Sequence, residues 1–303
     1  MKLGISIVIY IASTLLNMSS TSDKVNPPPE KRQPNRPTDS VHYLKSANEE
    51  VYFYASEPGV QVVEDPQAAK FLPCEIEARD GRTEGPEEGW DIDKQGFKLV
   101  EDIPAVKDFK DDQEVKDVYY KEAKQLILKL VKGAKRVEIF DHTRRAATAA
   151  LRKEFSCREP SGMVHNDYTE KSATKRLFDM FPEEAEELSK KRFAIVNLWR
   201  SIAGVIESSP LAFVDSTSIN IERDLISVKR ISKDRIGELQ MALFDKEHRW
   251  YYFPKMTNNE CVLFKTFDSS NDANQFTLHT SLNTIGNKDV PRRSIELRAF
   301  VFF

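Results

Sequence analysis

Val164-His165-Asn166-Asp167-Tyr168 is the stretch on which the reading of this chain turns. If it is extended, His165 and Asp167 leave the same face of one strand and converge on one point, because strand side chains alternate with period two. A helix would separate them. Far downstream, Gln275-Phe-Thr-Leu-His-Thr-Ser-Leu282 is rich in β-formers and bounded by polar clusters, so it reads as a strand that can deliver His279 from across a barrel. Two imidazoles and one carboxylate on one face are the donor set of non-heme Fe(II), leaving the opposite positions open for O2 and a co-substrate. The set points to an oxygenase.

One strand after His279 comes Pro291-Arg292-Arg293-Ser294, leading into the alternating run Ile295 to Phe302. An Arg-x-Ser at this place can grip a carboxylate in a bidentate contact supported by the serine hydroxyl. Arg298 competes for the role, since positions 292, 294, 296 and 298 of a continuous strand share one face. His142, beside Asp141, is read as structural or supporting, because adjacent strand residues face opposite ways and cannot both reach one metal.

Composition narrows the field. The chain has 303 residues, 40% hydrophobic, which suits one large domain or two small ones with an ordinary core. A formal net charge of −3 provides no basic field for nucleic acid, so small-molecule substrates fit better. Cys74, Cys157 and Cys261 are odd in number and widely spaced, which indicates neither a zinc cluster nor a disulfide framework and suits a reducing compartment. No G-x-G-x-x-G turn for a nucleotide and no G-x-S-x-G elbow of a serine hydrolase is found.

Residues 1–40 read as a disordered lead-in, Pro-rich from Thr21 to Pro37. Within it, Met1-Lys2 and the apolar run Leu3 to Leu16 resemble a signal sequence or membrane anchor, too short to span a bilayer. The expectation is that Met18 is the true start and that the protein is cytoplasmic, with an endoplasmic-reticulum or secretory location as the alternative. Residues 41–303 read as a single domain. Val41 to Val100, broken by Gly and Pro clusters, suggests short strands capping a barrel. Val115, Val118, Tyr119, Ala123, Leu126, Ile127 and Leu130 recur at helical spacing between Asp112 and Gly133, which predicts a bracing helix. Ser172 to Lys191 reads as helical, with Pro182 opening its second part. Seven later runs are rich in aromatic and β-branched residues: 193–202, 211–219, 237–244, 250–253, 262–267, 276–282 and 295–302. With the His165 strand they make eight, the number of a double-stranded β-helix, or jelly roll. The expected class is mainly β with helices. Trp250 to Phe253 should pack between the two sheets.

These segments also carry a resemblance. Trp90 to Phe97, Val137 to Arg144, Val164 to Thr169, Arg192 to Arg200, Ser209 to Asp215, His248 to Pro254, Leu263 to Ser269, His279-Thr280 and Pro291 to Arg298 are similar, in that order, to fungal Fe(II)/2-oxoglutarate-dependent oxygenases of the hydroxylase/desaturase (AsaB/CmcJ/NvfI-like) family. Ser201, where the family usually has proline, and Arg293, where it has an acidic residue, depart from the pattern. The resemblance implies a cupin-like core, iron on His165, Asp167 and His279, and 2-oxoglutarate with its far carboxylate on Arg292 and Ser294, or on Arg298 instead. It implies a dioxygenase that hydroxylates, desaturates or otherwise oxidises a C–H bond of a small molecule in fungal secondary metabolism. Trp199 and Arg200 are candidates for the substrate pocket, one as an apolar wall and the other as an anchor for an acidic group. A homodimer is compatible with this reading; nucleic acid is not expected, nor a membrane unless residues 1–17 act as an anchor. The rival is a metal-binding cupin-like protein that does without 2-oxoglutarate, either oxidising with O2 alone or not catalytic.

Overall fold

The structure is a computed structural model that describes residues 36–47, 51–54, 70–232 and 235–303. Its strands are β1 (Thr38–Leu44), β2 (Tyr52–Tyr54), β3 (Phe71–Asp80), β4 (Phe97–Glu101), β5 (Arg136–Ala146), β6 (His165–Asn166), β7 (Phe193–Ser201), β8 (Leu211–Val214), β9 (Leu225–Ser232), β10 (Arg235–Ala242), β11 (Trp250–Tyr252), β12 (Glu260–Asp268), β13 (His279–Ser281) and β14 (Arg293–Phe302). Its helices are α1 (Asp112–Glu114), α2 (Tyr120–Leu130), α3 (Ala149–Glu154), α4 (Glu170–Met180), α5 (Ala185–Ser189) and α6 (Ile221–Asp224). Among the described residues the strands form two sheets, ordered β1-β3-β11-β8-β13-β6-β10-β9-β2 and β4-β12-β7-β14-β5. The two curl into a jelly roll.

Period-two alternation decides which side chains the sheets enclose. On β7, Asn197 and Trp199 point inward, whereas Ala194, Val196 and Leu198 join the layer outside with Cys261, Leu263, Leu297 and Val301. Between the sheets lie Phe97, Trp199, Phe213, Tyr251, Phe253, Val262 and Phe264, from strands of both. Outside the smaller sheet runs one continuous helical stretch, α1 and α2 joined by the π-turn Val115–Tyr119. Asp111 caps it by accepting from the backbone N–H groups of Gln113 and Glu114. Val115, Tyr119, Ala123 and Ile127 recur every four residues and are all buried against the sheet. Burying Ile127 alone contributes roughly 1.5–3 kcal/mol. Gly133, at φ +82°, ends the stretch in the left-handed region that glycine adopts without strain.

Several expectations are corrected. The segment expected to cap the barrel instead supplies sheet strands: β1 and β3 extend the larger sheet and β4 edges the smaller one. Order begins before residue 41, since Thr38 to Ser40 already pair with Glu75 to Glu77; the rest of the expected lead-in, with its apolar run, lies outside the described residues. Strand β5 runs through Asp141 to Arg144 and is held by ten residue pairs to β14. The strands holding His165 and His279 are shorter than the runs suggested. β9 was not anticipated, because Leu225–Ser232 alternates charged and apolar residues weakly. Trp250 and Tyr252 face away from the inter-sheet core, so only Tyr251 and Phe253 of that run pack between the sheets. Cys157 and Cys261 are buried and Cys74 half-buried, all as free thiols. Among the described residues no helix is long and apolar enough to cross a membrane.

Candidate metal centre

His165 and His279 sit opposite each other on adjacent antiparallel strands, β6 and β13, as register partners. Their rings lie 4.4 Å apart between centroids. Asp167 follows two residues after His165, and one donor atom from each of the three residues falls within 4.8 Å of the others. The expected convergence of His165, Asp167 and His279 is therefore present.

Hydrogen bonds orient all three side chains. His165 Nδ1 lies 2.8 Å from the carbonyl of Met163, and His279 Nδ1 lies 3.0 Å from the carbonyl of Thr277. A carbonyl only accepts, so each Nδ1 carries the proton and each Nε2 keeps its lone pair. Oδ2 of Asp167 accepts from Asn197 Nδ2 at 2.8 Å and from Arg298 Nε at 2.9 Å. That leaves Oδ1 turned toward His165 Nε2, 3.6 Å away. Phe264 packs its ring 4.8 Å from that of His279.

Electrostatics favour the ligating forms. Burial, with His279 beside it, pushes the His165 imidazole down to about 4; burial also lowers His279. Both are neutral at pH 7. Burial alone would raise Asp167, but the Arg298 guanidinium and the two histidines hold it well below the usual carboxylate range.

Arg292 is 2% exposed, and no carboxylate of the described residues pairs with it. Its Nη1 donates to the carbonyl of Ser209 and to Ser281 Oγ at 3.2 Å, its guanidinium sits 5.4 Å from the Trp199 ring centre, and its Nε has no partner. Ser294 Oγ, also buried, has none either. A buried guanidinium lacking a counter-charge is costly. An entering carboxylate would supply the missing partner to both groups, so the residues present fit 2-oxoglutarate. Arg298, the competitor, is already committed: besides Asp167 it bonds Thr143 Oγ1 at 3.0 Å, Asp141 at 3.2 Å and Glu296 at 2.5 Å.

Of the two pocket candidates, Trp199 is inside the barrel under Arg292, but Arg200 is not. It is fully buried on the opposite face of β7, donating to Tyr119 Oη at 2.8 Å and paired with Asp102. His142 lines the cavity in front of the centre without joining it, bonded to Tyr120 Oη at 2.9 Å. Sequence reading did not find Asn197 or the cavity arginines Arg145, Arg158 and Arg230. Asn197 could have been found, since it shares the inward face with Trp199; the three arginines come from segments that only folding brings together. The cavity they line has a volume of about 630 Å³ and reaches His165 and Asp167.

Comparison with known proteins places these features among relatives. A family model described as an oxidoreductase/YMDC permease-like domain matches residues 41–302. Hydroxylase/desaturase CTB9 of Cercospora beticola is 29% identical over 242 residues, covering 72% of this chain and 74% of that protein. The alpha-ketoglutarate-dependent dioxygenase phiK of a fungal species is 30% identical over 221 residues, 70% of this chain and 79% of that protein. In three dimensions the chain is similar to the iron and alpha-ketoglutarate-dependent endoperoxidase NvfI, with a TM-score of 0.74 at 23% identity over 88% of this chain and 97% of that one. That likeness carries the fold.

Proposed function

This chain belongs to the oxidoreductase family that contains the fungal hydroxylase/desaturases and Fe(II)/2-oxoglutarate-dependent dioxygenases, and from that premise we propose that it oxidises a C–H bond of a small natural-product intermediate. The carrying observation is that the Nε2 atoms of His165 and His279 and Oδ1 of Asp167 converge, while their other polar atoms are spent on neighbouring groups. These three residues would hold Fe(II). Arg292 and Ser294 would take the far carboxylate of 2-oxoglutarate, as the orphaned Nε and Oγ support. Fe(II) with 2-oxoglutarate bound turns O2 into an oxidant able to break an unactivated C–H bond, releasing succinate and CO2.

The protein's share is placement and exclusion. Neutral imidazoles leave both Nε2 lone pairs available at neutral pH. Asn197 and Arg298 hold Asp167 in one rotamer and keep it ionised, which supports a ligand from outside the coordination sphere. Phe264, Phe213 and Trp199 belong to one apolar cluster, with the Phe264 ring against His279. Three free cysteines agree with a reducing compartment of the cytosol, where ferrous iron stays reduced.

The test is to titrate anaerobic, Fe(II)-loaded protein with 2-oxoglutarate and watch for the visible charge-transfer band of a chelated keto acid. The band should vanish in His165→Ala and weaken in Arg292→Ala. Its absence from folded, iron-loaded protein would overturn the reading in favour of a cupin-like protein that does without the co-substrate.

A further inference from the structure

The cavity reaching His165 and Asp167 is lined by six cationic side chains, Lys116, Arg144, Arg145, Arg158, Arg230 and Arg298, against four carboxylates, Asp112, Asp141, Asp167 and Glu238. Every one of those carboxylates is already engaged. Asp112 pairs with Lys116 and Arg144 at 2.6 Å each, Asp141 with Arg298 at 3.2 Å and Arg176 at 3.7 Å, and Glu238 with Thr169 Oγ1 at 2.7 Å and Lys171 at 3.5 Å. Asp167 is held by Arg298.

Two of the arginines have no such partner. Arg158, which follows α3, has its Nε buried without a hydrogen bond and pairs with no carboxylate of the described residues. Arg230, on β9, forms no ion pair with any described residue. Arg145, on β5, lies beside them; its Nη1 donates only to the carbonyl of Glu159, at 2.6 Å. The three are near enough to repel one another: burial first, then the charges of Arg230, Arg145 and Arg298, pulls the Arg158 guanidinium down to about 10. Stacking like charges in a half-buried wall weakens the fold unless something anionic enters.

We propose that the substrate is an organic acid, whose carboxylate is bound by Arg158 and Arg230 in the cavity that leads to the metal centre, with Arg145 adding to the positive wall. This rests on the oxygenase reading for the reaction and adds the class of molecule. Arg292 is a separate site. It is buried among Trp199, Ser209 and Ser281 and does not line the cavity. Two carboxylate receptors on one chain match two acids bound at once, the co-substrate and the substrate. Guanidinium forks suit a carboxylate because their paired N–H donors match its two oxygens.

The experiment uses 1-naphthaleneacetate and its uncharged methyl ester as probes, titrated calorimetrically into anaerobic protein loaded with Fe(II) and saturating 2-oxoglutarate. The acid should bind about 10-fold tighter than the ester or more, as a charge-assisted contact supplies. In the Arg158→Gln/Arg230→Gln double variant the preference should collapse. Unchanged binding of the ester there shows an intact cavity, and an unchanged 2-oxoglutarate band shows an intact co-substrate site. Equal affinity for acid and ester, no saturable binding of the acid, or a preference that survives the double substitution would overturn the proposal. So would an acid preference that disappears once 2-oxoglutarate is present, because the arginines would then serve the co-substrate. An acid preference in protein that never develops the keto-acid band would support the anion site while sinking the oxygenase reading.

Discussion

Arg298 Nε donates to Asp167 Oδ2 over 2.9 Å, joining β14 of the smaller sheet to the residue just past β6 of the larger one. Charge-assisted bonds of this kind fix a ligating carboxylate without touching the metal. Arg298→Gln should therefore lower metal affinity about 10–100-fold, the usual cost of losing such a support. Co(II) titration followed by its ligand-field absorbance measures it, and an unchanged affinity would show that Asn197 suffices.

Arg292→Gln should raise the dissociation constant of 2-oxoglutarate by roughly 10–100-fold, since a hydrogen bond to a charged group contributes about 1.5–3 kcal/mol. Ser294→Ala should have a smaller effect, about 2–10-fold, as a neutral donor supplies less. Both should leave metal binding alone. A variant of Arg292 that binds 2-oxoglutarate normally would move the carboxylate site elsewhere.

Stability of the metal-free protein should fall with acid in a particular window. Folded His165 is held at about 4 by burial and by His279, against an unfolded value near 6.5. Between those values the unfolded chain binds a proton that the folded chain refuses. Stability thus rises with pH through the window and is lost as pH falls. At pH 5 the loss from His165 alone is about 2 kcal/mol. Asp167 acts in the same sense and lower down: its depressed value stabilises the fold above about pH 4, and that contribution is lost as pH falls further. Urea unfolding in EDTA at pH 7 and pH 5 should show the difference, and His165→Gln should shrink it.

Lys265→Met should destabilise the fold by about 3–5 kcal/mol, the cost of stranding a buried charge. Lys265 is 1% exposed and its ammonium donates to Asp268, itself fully buried, at 2.7 Å. Arg192 also grips that carboxylate, Nη2 sharing Oδ2 at 2.7 Å and Nε donating to Oδ1 at 3.1 Å, and limits the loss. Denaturant titration reads it; a change under 1 kcal/mol would mean that Arg192 neutralises Asp268 unaided.

Gly96→Ala should weaken metal binding from outside the centre. Gly96 has φ +98°, and a Cβ there would lie 2.3 Å from Thr277 Oγ1. Thr277 must then move, and its carbonyl is the acceptor for His279 Nδ1. The same Co(II) titration should show the loss, with the Trp250 environment, on the far face of the sheet, unaffected in fluorescence.

The convergence of His165, Asp167 and His279 was legible because strand alternation turns a two-residue spacing into a shared face, and because His279 lay in a recognisable β run. The same alternation put Arg292 and Ser294 on one face, where both are buried with an unpartnered polar atom. Arg200 was misread by neglecting that rule: beside an inward Trp199 it must point outward, where Tyr119 and Asp102 meet it. Arg298 was weighed only for the co-substrate, since only the folded register brings Asp167 to its guanidinium. Arg158 and Arg230 had no local signal at all. They are separated by 72 positions (230 minus 158) and lie on segments whose proximity is purely tertiary.

The two imidazoles belong to one sheet, while the arginine and asparagine that steady the carboxylate belong to the other. An ion seated on the imidazoles and that carboxylate is thus riveted to both layers at once. Occupancy of the centre should be felt as a suture across the barrel mouth. Amide hydrogens of β6, β13 and β14 should then slow their exchange together when metal is added, as one cooperative unit.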